Sequence, residues 1–429
     1  MSTPTAAPAA APAGDTPTTI DVVSAKTPIA FGIVTAAMAL ALLFGNQSGE
    51  TTFRLSTRND LVQLPNLTVP TTATAWVLVL LMGVACAEAV RRYLAKRTSP
   101  LWLVALFAVI AMCAFLTWAA AGATLPVVGL LAGTLVVAVP LVFGALGGVL
   151  GERAGVVNIA IDGQLLAGAF AAALVGSVAG SAWVGVIGAM AAGALVALIL
   201  GVFAISYYVE QVIVGVVLNV LIVGLTSFMF TQILAPNTAE LNTPPRLGSV
   251  AIPVLGDIPL IGPIFFRQSP LIYVLYGVVI LVAWALFRTR WGLRVRAVGE
   301  HPKAADTVGI NVIRTRYFTV LLAGAIAGMG GAYYTLVSVT QFNREMTGGA
   351  GYIALAAVIF GKWHPIKATL AALLFGFAYS LQGQLSIIGS PVPSEFMLML
   401  PYLVTIVAVA GLVGRSRAPA ASGVPYKKS

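Results

Sequence analysis

The sequence predicts an all-α, polytopic integral membrane protein, and three observations predict it. Hydrophobic residues fill 59% of the 429 positions and charged residues only 9%, against about 25% charged in a soluble domain. The apolar residues fall into runs of about 20, the length that crosses a hydrocarbon core of about 30 Å as a helix. Lys and Arg are distributed unevenly among the polar stretches between those runs, as in membrane proteins with basic inner loops. So few charges cannot cover a soluble surface, which excludes a soluble enzyme, a nucleic-acid binder and a disordered chain together. The net charge of +10 follows from the inner-loop bias. No basic cluster is interleaved with aromatics as single-strand binding requires, so nucleic acid is not an expected partner and membrane lipid is.

Residues 1–27 are Ala, Pro, Thr and Ser with Asp15 and Asp21, a composition that buries no core and predicts a disordered cytoplasmic tail. It has neither a basic n-region nor a small-residue cleavage site, so the first apolar run is expected to stay as a helix. Residues 28–122 read as N-terminal transmembrane helices with runs near 29–45, 75–90 and 101–121 and an outer loop over 46–74. A second block, 123–414, holds runs near 124–147, 159–180, 182–205, 212–234, 270–287, 317–339, 366–384 and 396–413. The proline-rich stretch 235–269 reads as another outer loop, and 352–361 is a shorter apolar piece, a half-helix or a re-entrant segment. The total is about 10–12 crossings, some discontinuous, followed by a C-terminal tail over 415–429.

Nineteen of the 24 basic residues fall on one side of this arrangement, among them Arg91, Arg92, Lys96, Arg97, Arg153, Lys362 and the seven between Arg288 and Arg316. Five, Arg54, Arg58, Arg246, Arg267 and Arg344, fall on the other. That split puts both termini in the cytoplasm. Cys86 and Cys113 lie in apolar runs and read as small core residues. His301 and His364 have no Cys, His or acidic neighbour at ligand spacing, so no metal or catalytic site is expected.

Two breaks interrupt the apolar pattern. Gly147–Gln164 packs glycines, an ion-pair candidate in Glu152 with Arg153, and the polar side chains Asn158, Asp162 and Gln164 between two apolar runs. Gln341–Gly351 precedes the short apolar piece. Backbone freed at membrane depth is tolerated only where protein or a water-filled cavity receives it, so such breaks point to a pathway. A plain connecting loop is the other reading. Asp162 is costly at membrane depth unless paired or wetted. Asn158, Asp162, Gln164, Asn219, Tyr333 and Tyr334 are the candidate pathway residues, and helix–helix hydrogen bonding is the plainer reading of any one of them. Gly144 with Gly148, and Gly324 with Gly328, have the spacing that lets helices approach closely.

Between Arg288 and Arg316 lies a long basic loop. Pro302 suits the first turn of a helix, Lys303 to Val308 are good helix formers, and Gly309 is placed to end it. A short helix held out of the membrane by basic flanks suits docking to a cytosolic partner, although position alone favours a solvated loop.

Three segments, Gly151–Gln164, Gly299–Ile310 and Gly349–Trp363, together resemble the permease subunits of ATP-binding-cassette importers in the branched-chain amino acid, ribose and nucleoside superfamily. The likeness spans roughly 125–413 and is nearest to the nucleoside branch, which works with a basic-membrane-protein lipoprotein. It implies a type II importer permease fold and a subunit without catalysis of its own. Partners would be a cytosolic ATPase carrying the ATP and Mg, a second permease, related or identical, and an extracytoplasmic substrate-binding lipoprotein in a bacterial plasma membrane. It also implies that Glu300, Pro302, Lys303, Ala304, Ala305, Asp306 and Gly309 form the ATPase-coupling element. The chain has no Gly-x-x-x-x-Gly-Lys-[Ser/Thr] phosphate loop, and no cofactor is expected on it. Other expectations are an importer for branched-chain amino acids, sugars or B12- and siderophore-type solutes, an ion-coupled carrier, which would place more ionisable groups at the midplane, and a non-transporting scaffold.

Overall fold

The computed structural model describes residues 25–45, 48–57, 60–390, 396, 399 and 417–428. Among these, ten helices are long and apolar enough to cross a membrane. The expected run 396–413 and the tail 1–24 lie outside the described residues, save Phe396 and Met399, both helical.

The chain divides into two units, one holding residues up to Gly49 and Pro70–Trp118, the other Glu50–Val69 and the chain from Ala119. The first unit contains α1 (Lys26–Phe44), α2 (Thr71–Leu94) and α3 (Leu101–Ala119). Phe31 of α1 stacks on Phe107 of α3 at 3.8 Å between ring centroids, and Glu88 of α2 pairs with Arg91 and Arg92, each at 2.7 Å. Cys113 is exposed on α3 and is no core residue, while Cys86 is half-buried.

The second unit opens with β1 (Glu50–Arg54) and β2 (Leu67–Pro70), and β1 runs parallel to β3 (Thr124–Pro126) with Thr52 opposite Thr124. There follow α4 (Val127–Arg153), α5 (Ile161–Ala179), α6 (Ala182–Gly201, continuing in wider turns to Ser206) and α7 (Gln211–Met229, likewise to Leu234). The proline-rich stretch holds α8 (Thr238–Leu241), short helical turns at Leu255–Asp257 and Gly262–Phe266, and the antiparallel pair β4 (Val250–Ala251) and β5 (Arg267–Gln268). Arg267 reaches Asp60 at 3.1 Å and Asp257 at 3.0 Å, so the two stretches read as outer loops lie at the same end of this unit. After α9 (Pro270–Arg288) come α10 (Arg290–Glu300), α11 (Pro302–Thr307), α12 (Val312–Tyr333, extended to Ser338), α13 (Ala350–Phe360) and α14 (Pro365–Ile387).

Proline sets the start of α9, α11 and α14, where its missing N–H costs no bond. Asn311 caps α12 by accepting from the Arg314 N–H at 2.9 Å, and Thr289 caps α10 through Gly292 at 3.1 Å. Lipid gives apolar helices no reason to leave it for each other, so packing rests on close backbone approach. That approach is close between α12 and α6, where a Cβ on Gly324 or Gly328 would strike the carbonyls of Gly193 and Ala189. Gly144 and Gly148 of α4 instead receive Ala354 and Val358 of α13 and the Ile161 side chain.

Candidate functional site

The first break is built from α4, which runs to Arg153, and a loop that turns back along it. Ile161, the first residue of α5, lies against Gly144 and Gly148. At about 1.5 Å per residue, that level is roughly 8–13 Å inside the end of α4. The loop thus places polar side chains within the helical bundle, and the protein satisfies them there. Asn158 and Gln164 exchange two hydrogen bonds through their side-chain amides, Nδ2 to Oε1 at 3.0 Å and Nε2 to Oδ1 at 3.2 Å. Gln211 Oε1 accepts from the Val157 N–H at 2.7 Å. Asn219 accepts from the Gly163 N–H at 2.8 Å and donates to the Ile159 carbonyl at 2.9 Å and to the Tyr352 hydroxyl at 3.1 Å. These bonds serve backbone groups that the start of α5 leaves without helical partners.

Asp162 joins this break to the second one. Its Oδ1 accepts from the Gly351 N–H at 2.9 Å, and its Oδ2 accepts from the Thr347 hydroxyl at 3.3 Å. The carboxylate therefore sits at the N-terminus of α13, where a negative charge complements the helix dipole.

The far end of α13 is held as firmly. Glu152 and Arg153, read as an ion pair, do not pair with each other. The Trp363 indole N–H donates to Glu152 Oε2, while Arg153 donates from Nε to the Trp363 carbonyl at 2.9 Å and lies 3.9 Å from Glu300. Lys362 and Trp363 both have a φ of 54°, a left-handed conformation that costs non-glycine residues about 1–3 kcal/mol each unless surroundings fix it. The Phe287 ring lies between charged neighbours, with Arg153 and Arg296 over it at 5.7 and 5.1 Å and His364 stacked at 4.8 Å. Burial first, then Lys367 and Arg153, holds the His364 imidazole below the ordinary histidine value.

Beside the start of α13 is a cavity of about 250 Å³, walled by Val137, Leu141, Tyr334, Thr347, Ile353 and Tyr379 among others. None of its lining residues is charged. Of the sequence-derived pathway residues only Tyr334 lines it. Tyr333 is buried in the main core, and Asn158, Asp162, Gln164 and Asn219 spend their polar atoms on the bonds above. Thr347, Tyr352 and Tyr379 were not singled out from sequence. Thr347 lies inside the second break and could have been, but Tyr379, beside Ser380 in α14, belongs to none of the segments the sequence sets apart.

The loop read over 288–316 contains two helices, not one. α10 is amphipathic, burying Gly292, Val295, Val298 and Gly299, and a Cβ on Gly299 would fall on the Arg153 carbonyl. α11 begins at Pro302, and Gly309 beyond it has a φ of 83°. Ala305 is buried with Val298 and Val312, whereas Lys303 and Ala304 are exposed and Asp306 is half-buried. Of the residues named from sequence for coupling, Pro302, Lys303, Ala304, Ala305 and Asp306 lie on α11, Gly309 lies just beyond it, and Glu300 ends α10 within 3.9 Å of Arg153.

The family model described as the branched-chain amino acid transport system / permease component matches residues 130–409. The guanosine ABC transporter permease protein NupQ of Bacillus subtilis is 44% identical over 69% of this chain and 95% of its own length. The nucleoside ABC transporter permease protein NupC of Lactococcus lactis is 39% identical over 70% of this chain and 97% of its own. A glucose ABC transporter permease protein of Haloferax volcanii is 26% identical over 57% and 67% respectively.

Proposed function

The chain belongs to the branched-chain amino acid transport system permease family of ABC transporters, and from that premise we propose that it carries nucleosides into the cell. The observation that carries the substrate class is the near end-to-end match to relatives named for guanosine and for nucleosides. The cavity beside α13 supports it. A neutral solute with a flat base needs aromatic faces and hydroxyls rather than charges, and Tyr334, Tyr379 and Thr347 offer those.

ATP and Mg²⁺ act on a separate cytosolic ATPase that grips the outward face of α11, so this chain hydrolyses nothing. The α10–α11 end then faces the cytoplasm with both termini, the membrane is a bacterial plasma membrane, and a second permease completes the pathway. A binding lipoprotein delivers solute from outside. Displacement of α11 passes through α10 to the Arg153 carbonyl, through Arg153 and Glu152 to the turn at Trp363, and along α13 to Thr347 at the cavity.

The test is uptake in vesicles holding this chain with its ATPase, second permease and lipoprotein. ATP-dependent guanosine uptake, competed by other nucleosides and not by leucine or glucose, is expected. Uptake of leucine or glucose without guanosine would refute the substrate assignment.

A further inference from the structure

Residues 417–428 pack on the α10–α11 segment, and their contacts reach four separate parts of the second unit. The Ala421 N–H donates to the Gly299 carbonyl at 2.9 Å, and the Ala420 N–H donates to Glu300 Oε2 at 3.1 Å. Tyr426 is buried in a cluster with Val298 of α10, Ala305 of α11 and Val312 of α12. Tyr426 and Asp306 line the same cavity. Lys427 lies 5.4 Å from the Tyr208 ring in the α6–α7 turn. At the loop after α4, a Cβ on Gly155 would come within 3.1 Å of the Ala421 carbonyl.

Arg316, near the start of α12, is 1% exposed. Its Nη1 donates to the Val424 carbonyl at 3.1 Å, and its Nε and Nη2 have no partner among the described residues. A buried guanidinium needs hydrogen-bond acceptors, and the acceptor it has comes from the tail.

We propose that residues 417–428 are a strap that fastens the α10–α11 segment to the ends of α4 and α12, with Arg316 as its buried anchor and Tyr426 as its apolar fastener. A six-residue helix such as α11 is too short to hold its own conformation. The strap supplies the rigidity that lets a push on α11 move α4 rather than bend the loop. The fastening does not depend on the transport reading, whereas its consequence for coupling rests on it.

Hydrogen exchange on the full chain in lipid nanodiscs reads the fastening directly, without ATPase or solute. In a chain ending at Ser416, and in Tyr426→Ser, the amides of Ala305, Gly309 and Ile310 should exchange about tenfold faster or more, as a local opening. Amides in α5 and the interior of α12 should keep their rates, and Tyr426→Phe should stay near the parent. Unchanged exchange at 305–310 in both variants would overturn the strap. So would an equal acceleration throughout α5 and α12, which would make the tail a general support of the fold. In the assembled importer the same variants should hydrolyse more ATP per solute moved while still binding the ATPase. Loss of ATPase binding would instead make the tail a docking surface and would overturn the proposal.

Discussion

Replacing Gly351 by Ala tests the joint between the two breaks. Its N–H donates to Asp162 Oδ1 at 2.9 Å, and an added Cβ would fall on the backbone of Asp162 itself and 2.6 Å from its Cβ. No flexible side-chain end is available to yield. The first turn of α5 is further fixed by Asn219 on the Gly163 N–H, so α13 must move instead. Overpacking of this kind costs about 1–3 kcal/mol, and weakening a hydrogen bond to a buried carboxylate costs about 1.5–3 kcal/mol. Because both come from one displacement they do not fully add, and the expected loss is about 3–4 kcal/mol. At about 2 °C per kcal/mol for a chain of this size, the unfolding midpoint in detergent should fall by about 6–8 °C. Gly383→Ala in α14 is the control. A Cβ there meets open space, and the helix gains up to about 1 kcal/mol from the exchange. A Gly351→Ala protein that melts with its parent, or no lower than Gly383→Ala, would show that the α5–α13 contact is not tight, and the reasoning would fail.

Trp363→Phe removes the donor to Glu152, leaving a buried carboxylate without its hydrogen bond at a cost of about 2–3 kcal/mol, while Trp363→Phe with Glu152→Leu should recover most of it; thermal midpoints of the two variants decide this. Ala304→Trp adds bulk on the exposed face of α11 and should leave the melting temperature unchanged while abolishing ATP-driven uptake. Ala305→Trp forces the same bulk into the buried cluster with Val298, Val312 and Tyr426 and should lower the melting temperature itself. Burial and neighbouring cations hold His364 below 6.5, so the unfolded chain binds its proton more readily. The stability that the neutral ring contributes is complete above about pH 7 and is lost as pH falls through 6.5 toward the folded value. Melting curves of His364→Gln should therefore gain on the parent as pH drops below about 6.5, and parallel curves across pH 5–8 would refute this account.

Length and hydropathy were enough to locate the spans, because lipid demands about 20 apolar residues whatever a helix packs against. Pro302 and Gly309 marked α11 for a similar reason, since each has a backbone constraint of its own. Features that depend on direction around a helix were harder to read. Glu152 and Arg153 are neighbours in sequence, but successive residues on a helix point about 100° apart and do not face each other; each found its partner across the fold, in Trp363 and Glu300. Cys113 shows the same limit, because the outer face of a membrane helix is as apolar as its inner face. The period of α10 was present in Gly292, Val295 and Val298 but was masked by three arginines and two glycines over eleven residues. The parallel pairing of Thr52 with Thr124 joins segments 72 positions apart and has no local signature. The polar residues at the first break stood out in sequence as unusual, yet nothing there said whether each would face a cavity or another helix.

Their bonds bear on how the pathway moves. Broken helices can act as hinges when water satisfies the freed backbone, because water exchanges partners at little cost. Here the Val157, Gly163 and Gly351 N–H groups are served by Gln211, Asn219 and Asp162, and the two ends of the first break hold the two ends of α13. Unwinding either half-helix would strand at least one buried donor and one buried side chain, about 1–3 kcal/mol for each group. Motion of α4, α5, α7 and α13 together as one body leaves every one of these bonds intact. Exchange at the Gly163 and Gly351 amides should consequently stay as slow during ATP-driven turnover as at rest. Acceleration confined to those two amides during turnover would mean that the break opens as a hinge, and rigid displacement from α11 to the cavity would no longer describe the transport step.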